Sequence, residues 1–397
     1  SSLKVNDDVK DATNEVIGGA TTDEDKLRKI YDYTKTQIKN ISYASGITDE
    51  DKKKVKNSKT PSDTLKLKMG SPGDIDSLFG AMAKAAGFDA RIAVSGNRDE
   101  LFFDPHVANF SLMLSSSSIA VKIGNDWRFF SPASYYVPFG MMSWVEEGQA
   151  AMITDPKELI WSVIPLSPAE KTLAKRSGKF KLLEDGTLEG EAKIEYYGHW
   201  AVYEKRINHG DSAAEQEKTL KNLIKENILG TVEVESFNIE NVDDPDKPFV
   251  YTFKIRVPGY ASKTGKRLFF QPNVFERSSH PRFTASNRKY DVYFTYPFSE
   301  NDDLTIEFPD GFALENADAP APVKDSQGIS SHQCSLRVRD KKTLLYKRTF
   351  SFGSDGLIRF PAASYLAVKG LFEAFNKADV HQLTLKQEAA TASVPAN

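Results

Sequence analysis

Electron-pair donors and proton carriers are few and scattered in these 397 residues. Cysteine occurs once, at Cys334, and histidine six times. Cys334 alternates with Leu336 and Val338 at the period of a strand, so its thiol reads as a small core hydrophobe rather than a nucleophile. A single cysteine also permits no internal disulfide and leaves the redox compartment open. His199 and His209 show no metal-ligand spacing with each other or with Cys334, and His106, next to Pro105, reads as a surface-loop residue. The turn aspartates Asp302 and Asp303, like Asp243, Asp244 and Asp246, lack the loop spacing of a calcium site. Neither a metal nor a cofactor is expected.

What remains is one helix start and a serine run. Gly73 and Asp74 open a small-residue helix that Gly87 closes, and Ala90 to Val94 follows as a strand. Downstream, Ser115 to Ser118 leads into a hairpin that turns at Gly124 and Asn125 and runs through Trp127 to Phe130. Ser116, Ser117 or Asp74 could serve a hydrolytic role in a shared cleft, although no base is evident beside them. The aromatic run Phe129, Phe130, Tyr135, Tyr136 and Phe139 offers stacking surface to a sugar or peptide, with core packing the simpler explanation for most of it.

The elements that must position these residues fall into two groups. Leu27, Ile30, Tyr31, Thr34, Ile38 and Ile41 share one face at helical spacing, with Thr21 and Glu24 placed as a capping box. Lys52 to Thr64 is polar and Lys-rich and reads as an exposed loop. Three prolines, Pro156, Pro165 and Pro168, then interrupt the pattern, which places a core at 1–155, a linker at 156–168 and a β-rich domain at 169–388, with a disordered tail at 389–397. Strands are expected at Lys179–Leu183, Leu188–Tyr197, Val232–Ile239, Phe249–Val257, Lys289–Tyr296, Leu304–Phe308, Ser335–Val338 and Leu344–Phe352. Two helices, Ser212–Leu229 and Pro361–Phe375, should pack on the sheets.

Residues Val16 to Ile153 resemble the transglutaminase-like superfamily, whose papain-like fold carries a Cys, a His and an Asp on a helix start and two adjoining strands. The resemblance rests on Gly73-Asp74-Ile75, Ala81 to Gly87 and Arg91 to Val94, then on Ser116, Ile119 to Gly124, Trp127 and Ser131-Pro132. Pro138-Phe139-Gly140 and Trp144 to Gly148 look like the segment that follows in multidomain bacterial members. The resemblance implies an α+β fold, with a cysteine-protease-like core followed by a large antiparallel β-sandwich-like domain. It puts the nucleophile position at Ile75, the base at Ser116 (give or take one residue) and the orienting carboxylate at Ser131, so all three are replaced. The chain is therefore expected to be a pseudoenzyme with no catalytic residues. Asp74, Asp76, Trp127, Tyr135 and Tyr136 are expected to line the residual cleft.

Hydrophobic residues at 40% and charged residues at 27% suit a folded globular chain. Lys+Arg 52 against Asp+Glu 55 leaves no basic field for a phosphate backbone, so nucleic acid is not an expected partner. No apolar run reaches the roughly 18 residues of a membrane span. The expected partners are protein, peptide or glycan, in the cleft or on the β domain. By resemblance alone, the location is periplasmic or secreted, with a further domain or an export signal ahead of Ser1.

Overall fold

The computed structural model describes residues 2–104, 106, 110–228, 231–277 and 279–388, for Phe110 and Leu112 the backbone only. The expected tail at 389–397 and the helix end at Leu229 lie outside the described residues. The chain divides into two compact units, Ser1–Ser167 and Pro168–Asn397.

Among the described residues, the first unit has five helices and a five-stranded antiparallel sheet, with α1, α2, α4 and α5 sharing a core with that sheet. The helices are α1 (Asp7–Ile17), α2 (Asp23–Thr36), α3 (Asp49–Asn57), α4 (Pro61–Leu67) and α5 (Pro72–Ala85). The strands are β1 (Asp89–Ser95), β2 (Ser116–Ile123), β3 (Asp126–Phe130), β4 (Ala150–Ile153) and β5 (Ile160–Val163), in the spatial order β3-β2-β1-β4-β5. Three expectations shift. The α2 cap is Thr22, whose hydroxyl accepts from the Asp25 amide at 3.1 Å, so the capping pair stands one residue later than Thr21 and Glu24. The Lys-rich stretch is helical rather than a loop, because Thr48 with Asp51 and Thr60 with Asp63 form two capping boxes. Only Val55 of α3 is buried, which left no apolar stripe to read. The expected linker supplies β5, which pairs with β4 from Ile153↔Ile160 to Ala150↔Val163, and this extends the first unit to Ser167.

The central helix α5 is apolar around most of its surface and buries Ile75, Leu78, Phe79, Ala81, Met82 and Ala83. Each large side chain among these stabilises the unit by about 1.5–3 kcal/mol through burial. Gly80 is required by close approach, since a Cβ there would lie 2.8 Å from Leu3 and 3.1 Å from Ile119. Gly87, at φ +95°, ends the helix, and the Phe88 amide reaches back to the Ala83 carbonyl at 3.1 Å in a Schellman arrangement. The chain then turns into β1, antiparallel to β2 with Ile92 opposite Ile119.

The second unit is built on one eight-stranded sheet. Its strands are β6 (Leu173–Leu182), β7 (Leu188–Tyr196), β8 (Glu233–Glu240), β9 (Phe249–Val257), β10 (Phe298–Glu307), β11 (Ser330–Arg339) and β12 (Thr343–Phe352), with Val323–Lys324 at one edge. The order is β8-β9-β7-β6-β10-β12-β11 and then the edge pair, antiparallel except between β6 and β10. A four-stranded sheet that includes Arg267–Phe270 and Leu383–Gln387 contributes Leu268, Phe270, Leu383 and Leu385 to the same core as Ile255, Val257, Leu304 and Ile306. Of the strand expected at Lys289–Tyr296, only Val292–Tyr293 pairs.

Among the described residues, three longer helices rather than two accompany these sheets: α6 (Gly198–Asn208), α7 (Ala213–Asn227) and α8 (Tyr365–Asp379). Helix α6 escaped sequence reading because its buried positions are His199, Ala201, Glu204, Lys205 and Asn208, a mostly polar set with no apolar periodicity.

Candidate functional site

In the first unit, the start of α5 meets the residues following β3 through Asp76, and the Ser95 end of β1 pairs with the Ser116 end of β2. Helix α5 is capped by Ser71, whose hydroxyl faces the Asp74 amide, while the Asp74 carboxylate accepts from the Ser71 amide at 2.9 Å and its hydroxyl at 2.6 Å. Asp74 is thus occupied as a cap. Ile75 lies one turn inside the helix, its amide bonded to the Ser71 carbonyl at 3.1 Å and its side chain 1% exposed. The open end of the helix falls on Pro72 and Gly73, which are exposed. This corrects the expectation that Ile75 stands at the free terminus.

Strand alternation refines the serine run. Ile119 and Val121 pack toward α5, whereas Ala120 joins Ala93 and Phe129 in a separate cluster on the other face. By the same alternation Ser117 projects toward the α5 side, and Ser116 and Ser118 project away. Ser117 therefore occupies the position facing the helix, one residue from Ser116. Trp127 also belongs with the opposite face, packed against the Ala93, Ala120 and Phe129 cluster. It sits beside the hairpin turn, opposite Lys122 and four residues from Ser131, about 13 Å along a strand. Trp127 is not a cleft residue. Tyr135 and Tyr136 form a three-ring group with Tyr43, at centroid separations of 5.1 Å to each other and 6.4 and 6.2 Å to Tyr43.

The contact that does assemble is between Asp76 and Ser131. The Asp76 carboxylate accepts from the Ser131 hydroxyl at 3.1 Å and the Ala133 amide at 3.0 Å. Burial pushes the Asp76 carboxyl up to about 7, against the opposing effect of those two bonds. A second carboxyl was not anticipated: Glu146 is 5% exposed and is pushed up to about 8, by burial first and then by the negative charges of Asp76 and Glu147. Glu147 is spent on Ser167, accepting from its hydroxyl at 2.6 Å and its amide at 3.0 Å. Sequence carried no signal for this group, since a Glu-Glu pair before a glycine ordinarily reads as a solvated turn. His106, the sole histidine of the first unit, is exposed and held by Asp104 at 3.0 Å.

The second unit holds a buried ionic network. Arg176 grips Asp302 with two nitrogens at 2.6 and 2.9 Å and reaches Glu276 at 2.9 Å and Glu300 at 3.3 Å. Arg348 pairs with Asp379 at 2.6 and 2.9 Å and with Glu300 at 2.6 Å. His332 stands 2.8 Å from Asp379. Among the described residues, His332, Cys334 and Asp379 have ligating atoms within 4.8 Å of one another, a set missed by sequence because it spans two elements. The Arg348 guanidinium already fills the cation position on Asp379, and burial pushes the Cys334 thiol up to about 11, so this donor set suits an ion pair better than a metal.

No helix among the described residues is long and apolar enough to cross a membrane. Residues 10–130 match the Transglutaminase-like superfamily, and residues 266–385 match a domain of unknown function with a solved structure, DUF3858. Comparison with the curated proteins gave no match. A solved structure described as a "putative protease" from Parabacteroides distasonis is similar over 97% of this chain, with a TM-score of 0.51 and 12% identity. The chain spans 56% of that protein's length, and the likeness is one of fold. Helix α5 leading into an antiparallel sheet is the arrangement expected of that superfamily, and it is to this superfamily that residues 10–130, less than half of the chain, are similar.

Proposed function

We propose that the chain is a non-catalytic member of this superfamily, a binding or scaffolding module of an exported bacterial multidomain protein. One observation carries the reading: residues 1–167 contain no cysteine, and their one histidine, His106, is turned to solvent on Asp104. Thiol chemistry of the family's kind needs a thiolate and an imidazole within hydrogen-bond reach, and this unit has neither group at the start of α5. The partner is a protein, peptide or glycan, held in the residual cleft or on the β domain, and the tyrosine group at Tyr43, Tyr135 and Tyr136 is in keeping with such a ligand. Export rests on the resemblance to multidomain bacterial members.

A second reading, a hydrolase of another class, is favoured by the Asp76–Ser131 bond and by two buried carboxyls that keep their protons near neutrality. One assay separates the two. The full chain is incubated with generic ester and amide substrates beside Asp76→Asn and Ser117→Ala. No turnover above buffer is expected; turnover that disappears in Asp76→Asn would establish the hydrolase reading. A thermal-shift screen with peptides and glycans tests the binding role, and a purely architectural module would shift with none of them.

A further inference from the structure

The second unit encloses a cavity of about 410 Å³ between helices α6 and α7 and the face of β6, β7 and β9. Its walls include Tyr196, Trp200, Phe253 and Phe275, and it reaches the surface at Tyr203, which is 60% exposed. Three carboxylates also line it: Glu204 from α6, Glu276 from the short helical turn Val274–Glu276, and Glu300 from β10. Each has one oxygen engaged. Glu204 Oε2 accepts from the Tyr251 hydroxyl at 3.0 Å, Glu276 Oε1 from Arg176 at 2.9 Å, and Glu300 Oε2 from Arg176 at 3.3 Å and Arg348 at 2.6 Å.

The second oxygen of each has no hydrogen-bond partner among the described residues, although Glu204 is only 7% exposed. All three lie near Tyr196, whose phenol is pushed up by burial first and then by the charge of Glu204, with Arg176 opposing and Glu300 and Glu276 adding to the rise. The surrounding network sets the guanidiniums of Arg176 and Arg348, the more distant Arg282 acting on Glu300, and the His332 imidazole beside Asp379 against four carboxylates, Glu276, Glu300, Asp302 and Asp379. Burial pushes the Glu204 carboxyl up to about 7 and raises Glu276 as well, so it is at pH 8 that buried negative charge is in excess beside this aromatic-walled space.

We propose that this cavity binds a primary ammonium group on a short aliphatic chain, either a peptide lysine or a free diamine. An alkylammonium offers three N–H donors and no acceptor, which matches carboxylate oxygens left open. The aromatic faces suit both the cation and its methylene stem. A neutral ligand would leave the excess charge uncompensated, and an anion would be repelled. The volume lies within the range usual for small-molecule sites. The inference does not depend on whether the first unit is catalytic.

The test is calorimetric titration of the full chain at pH 8 with cadaverine, with Nα-acetyl-lysine methylamide, and with 1-pentanol and pentanoate as uncharged and anionic controls. Saturable binding of at least one amine is expected, with none of either control, and the stronger amine identifies the source. Glu204→Gln should weaken the amine at least tenfold, and Leu223→Trp, which fills the cavity without altering its charge, should abolish binding. Failure of both amines to saturate, equal binding of pentanol, or retention of native affinity by both variants would overturn the proposal. Should Glu204→Gln not fold, the controls on the native protein and Leu223→Trp still decide it.

Discussion

Asp76→Asn should stabilise the protein in a pH-dependent way. The Asp76 carboxyl is 7% exposed and sits at about 7 in the folded unit against an ordinary 3.8. Between those values the folded state keeps a proton that the unfolded chain has released, so stability falls as pH rises through that window and the loss is complete above pH 7. Each factor of ten in proton affinity is worth about 1.4 kcal/mol, so the ionised group costs the fold about 4 kcal/mol at pH 8. An asparagine has no such cost. Its carbonyl can accept from the Ala133 amide and its amide can donate to the Ser131 hydroxyl, which preserves both contacts. The variant's advantage should therefore be about 3 kcal/mol larger at pH 8 than at pH 5, a difference on the order of 10 °C in melting temperature for a unit of this size. Glu146 acts in the same direction, because removal of its negative neighbour eases its own ionisation. Thermal melts of both proteins at the two pH values, followed by tryptophan fluorescence, provide the measurement. Trp127, Trp144 and Trp161 lie in the first unit and only Trp200 in the second, so the signal chiefly follows the relevant unit. An advantage of equal size at pH 5 and pH 8, or a variant less stable at pH 8, would refute the assignment of a buried, proton-holding carboxyl.

Cys334 should label slowly with a thiol reagent in the folded protein and stoichiometrically after unfolding, because it is 6% exposed and its thiol is held up at about 11. Arg348→Gln should cost about 3–5 kcal/mol, measured by denaturant unfolding, since Asp379 and Glu300 would lose the cation that faces them in the interior; a cost below about 1 kcal/mol would mean that the network is open to water. Ile75→Cys, alone or with Ser117→His and Ser131→Asp, should show no ester or amide turnover and no rapid thiol labelling. The side chain at that position packs in the core one turn beyond the open helix end.

Sequence alone was enough for whatever depends on short-range pattern. The helix closed by Gly87, the strand at Ala90–Val94, the two-residue turn at Gly124 and Asn125, and the strand at Phe249–Val257 are set by spacing, glycine conformation and alternation, all local properties. The absence of cysteine from the first unit, and with it the case against thiol catalysis there, is likewise a matter of composition. Polar helices were not legible: α3 and α6 bury too little apolar surface to announce themselves, and their capping and context decide them.

Only the tertiary structure decided which face each candidate presents. A one-residue difference on a strand moves a side chain to the opposite side of the sheet, which is why Ser117 replaces Ser116 at the helix-facing position and why Trp127 leaves the cleft. The protonation of Asp76 and Glu146, and the open carboxylate oxygens of Glu204, Glu276 and Glu300, belong to the same category. Burial and the excess of like charge create those properties, and both arise from residues that are far apart in sequence and meet only when the chain has folded.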